Sequence, residues 1–196
     1  MLYINDHVET LDWQAHLSEL PAARQEKCLR YLKEESRRQC VAAWLLLRDA
    51  LESQYGLKEA PEIAYMPDGK PYFPKRPDIH FSLSHCSKAV ACALGDRPVG
   101  VDVERIRTYD DEVAAYVLND AELEHVRSAD NPALEFTKIW TQKESCLKLT
   151  GEGLTRDLKE ILTQYKVDFQ TTVELEKGYV CTEAVESVII HKTKRI

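Results

Sequence analysis

The chain has 196 residues, 44% of them hydrophobic and 30% charged, enough apolar material for the core of one domain or of two small halves. Its 26 Lys and Arg against 33 Asp and Glu leave a net charge of −7. That balance argues against a nucleic-acid coat or a polybasic membrane binder, while leaving room for a local basic pocket. The longest apolar run, Val41 to Leu47, is too short to span a bilayer, and Asp6, Glu9 and Asp12 stand where a signal peptide would carry Lys or Arg. The expectation is a cytoplasmic protein with neither a membrane nor a nucleic-acid partner. The six cysteines are scattered, with no CxxC pair, and read as buried thiols rather than as a zinc or redox motif.

In chain order, Leu2–Ile4 reads as a short first strand. From Leu11 to Tyr55 the pattern is helical: Leu29 and Leu32, then Val41, Trp44, Leu45, Leu47 and Leu51 recur at spacings of three and four. Pro21 opens one helix and Gly56 closes the last. The segment Pro67-Asp68-Gly69-Lys70-Pro71, with Pro74 and Pro77 after it, is turn-rich. Ile79–Leu83 alternates apolar and polar, Ala89–Leu94 is a small apolar run, and Gly95-Asp96-Arg97-Pro98 reads as a hairpin-like turn into Val99–Glu104. Helical patterns return over 112–150, broken near Asn131-Pro132 and ended by Gly151-Glu152-Gly153. Strands follow at Val173–Leu175 and Tyr179–Cys181 around a Lys177-Gly178 turn, with a last one at Val188–Ile190. Helices precede strands twice over, which predicts an α+β fold of two similar halves, residues 1–99 and 100–196.

Three groups of residues carry chemistry. Asp102 and Glu104 are two apart on a predicted strand, so both carboxylates share a face while Val101 and Val103 turn to the core. Paired carboxylates need a cation or a solvated face, and a hard divalent ion such as Mg²⁺ takes oxygen ligands of this kind. On the predicted helix 140–148, Trp140, Glu144 and Lys148 fall at i, i+4 and i+8 and form one ridge, readable as a surface ion pair or as a carboxylate and an ammonium held side by side for metal, proton or phosphate work. Arg24, Lys27, Arg30, Arg37 and Arg38 mark the early helices, Lys70 sits in a Gly-Lys-Pro turn, and Ser84-His85 ends a strand. Basic groups together with carboxylates are what a magnesium-bound polyphosphate needs.

In this order, Phe81-Ser82-Leu83-Ser84-His85-Cys86, Val99-Gly100-Val101-Asp102-Val103-Glu104 and Trp140–Lys148 with Gly151 resemble the three motifs of the surfactin-synthetase-type 4′-phosphopantetheinyl transferases. Gly69-Lys70-Pro71 matches a shorter element of that family, and the segment Arg24 to Arg38 looks like its N-terminal basic region. The resemblance implies a monomer of two α+β halves related by pseudo-twofold symmetry, with the active site in the cleft between them. It implies transfer of the phosphopantetheine arm of coenzyme A to a serine of an apo acyl or peptidyl carrier protein, with release of adenosine 3′,5′-bisphosphate. Carried over residue by residue, Asp102, Glu104 and Glu144 bind Mg²⁺, Glu144 is also the base for the carrier serine, and Lys148 contacts the pyrophosphate and steadies charge on the leaving phosphate. Arg24, Lys27, Arg38, Lys70, Ser84, His85 and Lys143 contact the coenzyme.

The sequence departs from the family pattern at Cys86, where many relatives have Ser, and at Ala115–Leu118, where they often carry paired aromatics. The segment around it is acidic (Asp110, Asp111, Glu112, Asp120, Glu122, Glu124) although carrier proteins are commonly acidic themselves. Two other readings remain open on the residues alone: a catalytically silent module that binds coenzyme A or a carrier, and a Mg²⁺-dependent phosphohydrolase. Trp13 and Trp44 read as packing residues, and His7, His16, His80, His125 and His191 show no metal-ligand spacing.

Overall fold

The computed structural model describes residues 1–151 and 158–187. Among them the chain runs β1 (Leu2–Asn5), α1 (Trp13–His16), α2 (Ala22–Arg30), α3 (Glu34–Tyr55), β2 (Ala64–Tyr65), β3 (Pro71–Tyr72), β4 (His80–His85) and β5 (Val90–Gly95). It continues through β6 (Val99–Arg105), α4 (Asp111–Val117), α5 (Asp120–Arg127), α6 (Pro132–Thr150), α7 (Ile161–Gln164), β7 (Val167–Glu174) and β8 (Tyr179–Glu186). The fold is α+β, as the alternation of patterns predicts. The strand expected at Val188–Ile190 lies outside the described residues.

Two antiparallel three-stranded sheets organise the molecule, one in the order β1-β5-β4 and the other β6-β8-β7, with β2 and β3 as a small separate hairpin. Helix α3 starts on Glu34 and Glu35, whose charges suit the positive end of its dipole, and ends at Gly56 in the left-handed region (φ 67°). Its buried stripe of Val41, Trp44, Leu47 and Leu51 packs with Phe81, Cys92 and Leu94 of the first sheet. Strand β5 is buried on both faces: Cys92 and Leu94 meet α3, while Ala91 and Ala93 join Val99, Val101, Val103, Tyr179 and Cys181 of the second sheet. The period-two alternation of a strand thus lets small residues face the second sheet and larger ones the helix. All six cysteines are buried.

Two expectations need correction. Leu29 and Leu32 do not belong to a buried helical stripe; they are 52% and 96% exposed. The chain leaves the helix at Tyr31, which is extended and whose carbonyl accepts a hydrogen bond from Arg37 Nε, and restarts at Glu34, so the regular spacing is interrupted. Nor does Gly95–Pro98 close a hairpin. Strands β5 and β6 belong to different sheets, and the turn carries the chain from one to the other.

The sheets are joined by side chains of β4. Ser82 Oγ accepts the N–H of Val101 at 3.1 Å and Ser84 Oγ accepts that of Val103 at 3.2 Å. The two-residue spacing on β4 matches the two-residue spacing on β6, so alternate hydroxyls reach alternate amides.

Candidate active site

Strand β6 and helix α6 approach at Gly100. A Cβ there would lie 1.9 Å from the Ser145 carbonyl oxygen and 2.5 Å from Leu149 N, so only glycine admits this contact. Helix α6 is begun by Asn131, whose side chain accepts the Leu134 N–H, and by Pro132 in its first turn; it ends at Gly151 with φ 81°. Seated on Gly100, it sets Glu144 and Lys148 beside Asp102 and Glu104.

Asp102 is 4% exposed, so the solvated strand face is not what this strand forms. Its Oδ1 accepts hydrogen bonds from Ser84 Oγ at 2.9 Å and from Lys148 Nζ at 2.7 Å. Its Oδ2 is buried without a hydrogen-bond partner. Lys148 also donates to Ser84 Oγ at 2.8 Å. The Ser84 hydroxyl therefore gives one bond and receives two, which fills its capacity.

Glu104 and Glu144 both lie within electrostatic reach of Asp102. Burial, and then the Asp102 charge, push the Glu104 carboxyl above its ordinary range, with Arg107, Lys148 and Arg105 offsetting in part. Burial, and then Asp102, do the same to Glu144, with Glu104 adding to the effect and Lys148 opposing it. The three carboxylates thus feel one another's charge, offset in part by Lys148, which bonds Asp102, and by Arg107, which lies 3.5 Å from Glu104. Among the described residues no group of three or more His, Cys, Asp or Glu side chains is arranged, as it stands, to hold a metal ion.

A cavity of about 270 Å³ opens on this cluster, bounded by Lys70, Phe81, Ser82, Glu144, Lys148 and Gly151. The Lys70 ammonium donates to the Leu149 carbonyl at the end of α6, a favourable place for a cation, and burial lowers its pKa despite Asp68. A second cavity, about 720 Å³, is lined by Arg24, Lys27, Trp44, Ile63 and Tyr65. Arg24 lies over the Trp44 ring, 5.4 Å from its centre, and Trp44 is otherwise a core residue as expected. His85 keeps an edge open to solvent. The protein around it, then the charges of Lys148 and Lys27, hold its imidazole below the ordinary histidine value. It stands within electrostatic reach of both basic groups.

The structure does not bring every sequence-derived candidate to this place. Arg38 pairs with Glu34 at 3.3 Å and lines a different cavity with Val8, Glu9, Glu35 and Ser87. Lys143, expected at the coenzyme, is fully buried on another face of α6, with its Nζ 2.6 Å from Glu122 and 2.7 Å from the Leu158 carbonyl. Ser84 lies under Asp102 and Lys148. Sequence reading missed Ser82 as a partner of β6; its only trace is the Ser-x-Ser spacing. It also missed an apolar cavity of about 350 Å³ that runs from Glu104 past Val113, Val117, Phe136 and Trp140.

Residues 98–190 match the family model described as the 4′-phosphopantetheinyl transferase superfamily. A 4′-phosphopantetheinyl transferase of Bacillus subtilis is 29% identical over 166 residues, covering 83% of this chain and 74% of that protein. The 4′-phosphopantetheinyl transferase Sfp of Bacillus subtilis strain 168 is 27% identical over 182 residues, 91% of this chain and 81% of Sfp. The 4′-phosphopantetheinyl transferase AcpT of Salmonella typhimurium is 36% identical over 116 residues, 56% and 59% of the two chains. The chain belongs to the 4′-phosphopantetheinyl transferase superfamily, and its enzyme type is that of these transferases. No helix among the described residues is long and apolar enough to cross a membrane.

Proposed function

We propose that this protein transfers the 4′-phosphopantetheine arm of coenzyme A to a serine hydroxyl of an apo acyl or peptidyl carrier protein, with Mg²⁺, and releases adenosine 3′,5′-bisphosphate. The observation that carries the reading is the buried, unpartnered Oδ2 of Asp102 among the carboxylates of Glu104 and Glu144. A buried carboxylate oxygen without a donor is costly, and Lys148 reaches only the other oxygen of Asp102 while Arg107 pairs with Glu104. The donor set is all oxygen and open on one side, which suits a hard cation that keeps waters and substrate phosphates as its other ligands. Asp102, Glu104 and Glu144 would hold it, and Mg²⁺ would supply charge neutralisation at the pyrophosphate.

The chain's own residues then divide the work. Residues 1–99 form the coenzyme side and residues 100–196 the metal side, with the cleft between them as the active site. Arg24 and Lys27, which line the larger cavity, hold the adenosine end and its 3′-phosphate together with His85, which lies within electrostatic reach of Lys27. Lys70 borders the smaller cavity, the place for the pyrophosphate. Glu144 takes the proton of the carrier serine. The serine oxygen bonds to the phosphorus that bears the pantetheine, and the pyrophosphate P–O bond breaks. Lys148 steadies the charge left on the departing phosphate. Ser84 holds Asp102 and Lys148 in place; Arg38 and Lys143 take no direct part.

The test is intact-mass spectrometry of a purified apo acyl carrier protein after incubation with this protein, coenzyme A and Mg²⁺. The expected result is a gain of one phosphopantetheine that EDTA abolishes. Coenzyme A binding without any gain on acyl or peptidyl carriers would replace the transferase reading with a binding module.

A further inference from the structure

Lys143 immediately precedes Glu144 on α6 and is 0% exposed. Its ammonium pairs with Glu122 Oε2 at 2.6 Å and donates to the Leu158 carbonyl at 2.7 Å. The same Oε2 accepts the Asn119 N–H at 3.0 Å, and Asn119 Oδ1 accepts the Glu122 N–H at 2.9 Å, forming the reciprocal cap that opens α5. Asn119 Nδ2 also donates to the Lys159 carbonyl at 3.2 Å. The Leu158 side chain packs on the apolar cluster of Ala114, Val117, Leu118 and Val126. One buried bracket therefore gathers the start of α5, the middle of α6 and the segment at Leu158.

A buried ammonium persists only where it is paired and hydrogen-bonded, and an apolar pair of similar volume commonly serves stability as well or better. What the ion pair adds is direction, because its hydrogen bonds are satisfied at one geometry. Consecutive residues of an α-helix project about 100° apart. The rotation of α6 that seats Lys143 on Glu122 thus also sets where Glu144 faces.

We propose that Lys143 is a positioning residue and not a coenzyme contact: the Glu122–Lys143–Leu158 bracket fixes the rotation of α6 against α5 and holds the Glu144 carboxylate toward Asp102 and Glu104. This rests on the role given to Glu144 above.

The test compares Glu122→Gln, Lys143→Met and the double variant Glu122→Leu/Lys143→Met with the wild type. It reads thermal midpoint, coenzyme A dissociation constant, and transfer rate well below each midpoint. Each single variant is expected to lower the midpoint by on the order of 10 °C. Each should also slow transfer by on the order of a hundredfold, as misplacing a reacting group does, with coenzyme A affinity unchanged. The double variant should recover the midpoint but not the rate, since an apolar pair restores packing without direction. Rate returning together with the midpoint would show a merely structural pair and overturn the proposal. So would a loss of coenzyme A affinity in Lys143→Met that Glu122→Gln does not share. If Lys143→Met fails to fold, the other two variants decide between these outcomes. Wild-type transfer measured in the same series separates failure of this inference from failure of the transferase reading.

Discussion

The hydroxyl of Ser84 lies 2.9 Å from Asp102 Oδ1 while its own amide partner, Val103 N–H, is 3.2 Å away, so one side chain of the first sheet fixes both the backbone of β6 and the carboxylate that β6 presents. Lys148 completes the arrangement from α6, 2.7 Å from the same Oδ1. The seam between the sheets and the polar group at Asp102 thus share the Ser84 hydroxyl.

Ser84→Ala removes a hydroxyl with three partners. It leaves the buried Val103 N–H unsatisfied and should destabilise the protein by about 1–3 kcal/mol. Because Asp102 Oδ1 then keeps only Lys148, the transfer rate should fall and the Mg²⁺ concentration for half-maximal rate should rise. Denaturant unfolding and a Mg²⁺ titration of activity check both; a stability loss with an unaltered Mg²⁺ dependence would show that Ser84 holds only the seam.

Gly100→Ala should be among the most damaging small substitutions in the chain. The new Cβ would fall 1.9 Å from the Ser145 carbonyl oxygen, which is backbone and cannot swing aside. Overpacking of this severity costs about 3 kcal/mol or more. Moving α6 off β6 would also separate Glu144 from Asp102. The expected outcome is a large drop in thermal midpoint with loss of transfer; a midpoint close to wild type would contradict the described approach.

Glu104 and Glu144 both have folded-state pKa values raised above the ordinary 4.5, by burial first and neighbouring carboxylates second. In the window from 4.5 up to those raised values the folded state binds more protons than the unfolded state. Stability of the metal-free protein therefore falls as pH rises through that window, by the amount these two groups contribute. A bound divalent cation removes the repulsion, so the rise in thermal midpoint on adding Mg²⁺ should be small near pH 4.5 and larger near neutrality. Thermal unfolding with Mg²⁺ and with EDTA across pH tests this; a Mg²⁺ effect independent of pH would contradict it.

Lys27→Ala should weaken coenzyme A binding by about tenfold, the worth of one charge-assisted contact to phosphate. With a coenzyme lacking the 3′-phosphate the same substitution should cost little. Calorimetric titration of both ligands checks it, and an equal loss on both would remove Lys27 from the phosphate site.

What was legible in the sequence was local. The two-residue spacing of Asp102 and Glu104 and the four-residue spacing of Glu144 and Lys148 follow from strand and helix periodicity, and each pair does share a face. That the two pairs meet depends on Gly100 against Ser145 and Leu149, a contact between residues far apart in sequence. The hydroxyl junction of Ser82 and Ser84 with Val101 and Val103 was hidden for the same reason. Lys143 shows the limit most plainly. Glu144, the next residue, lines the cavity beside Lys148, but one step along a helix is enough to aim the Lys143 ammonium at Glu122 instead. The Gly95–Pro98 turn has hairpin composition, yet it joins strands of different sheets, a choice made by the packing of β5 between α3 and the second sheet.

The most direct test of the central claim, that Asp102, Glu104 and Glu144 act as one centre with Lys148, is the rate of mass gain on an apo carrier protein catalysed by Glu144→Gln. The substitution keeps shape and removes the charge and the base. The account predicts a folded protein that still binds coenzyme A through Arg24, Lys27 and His85 and loses transfer by on the order of 10²-fold or more. A folded Glu144→Gln variant that modifies the carrier at close to the wild-type rate would contradict it.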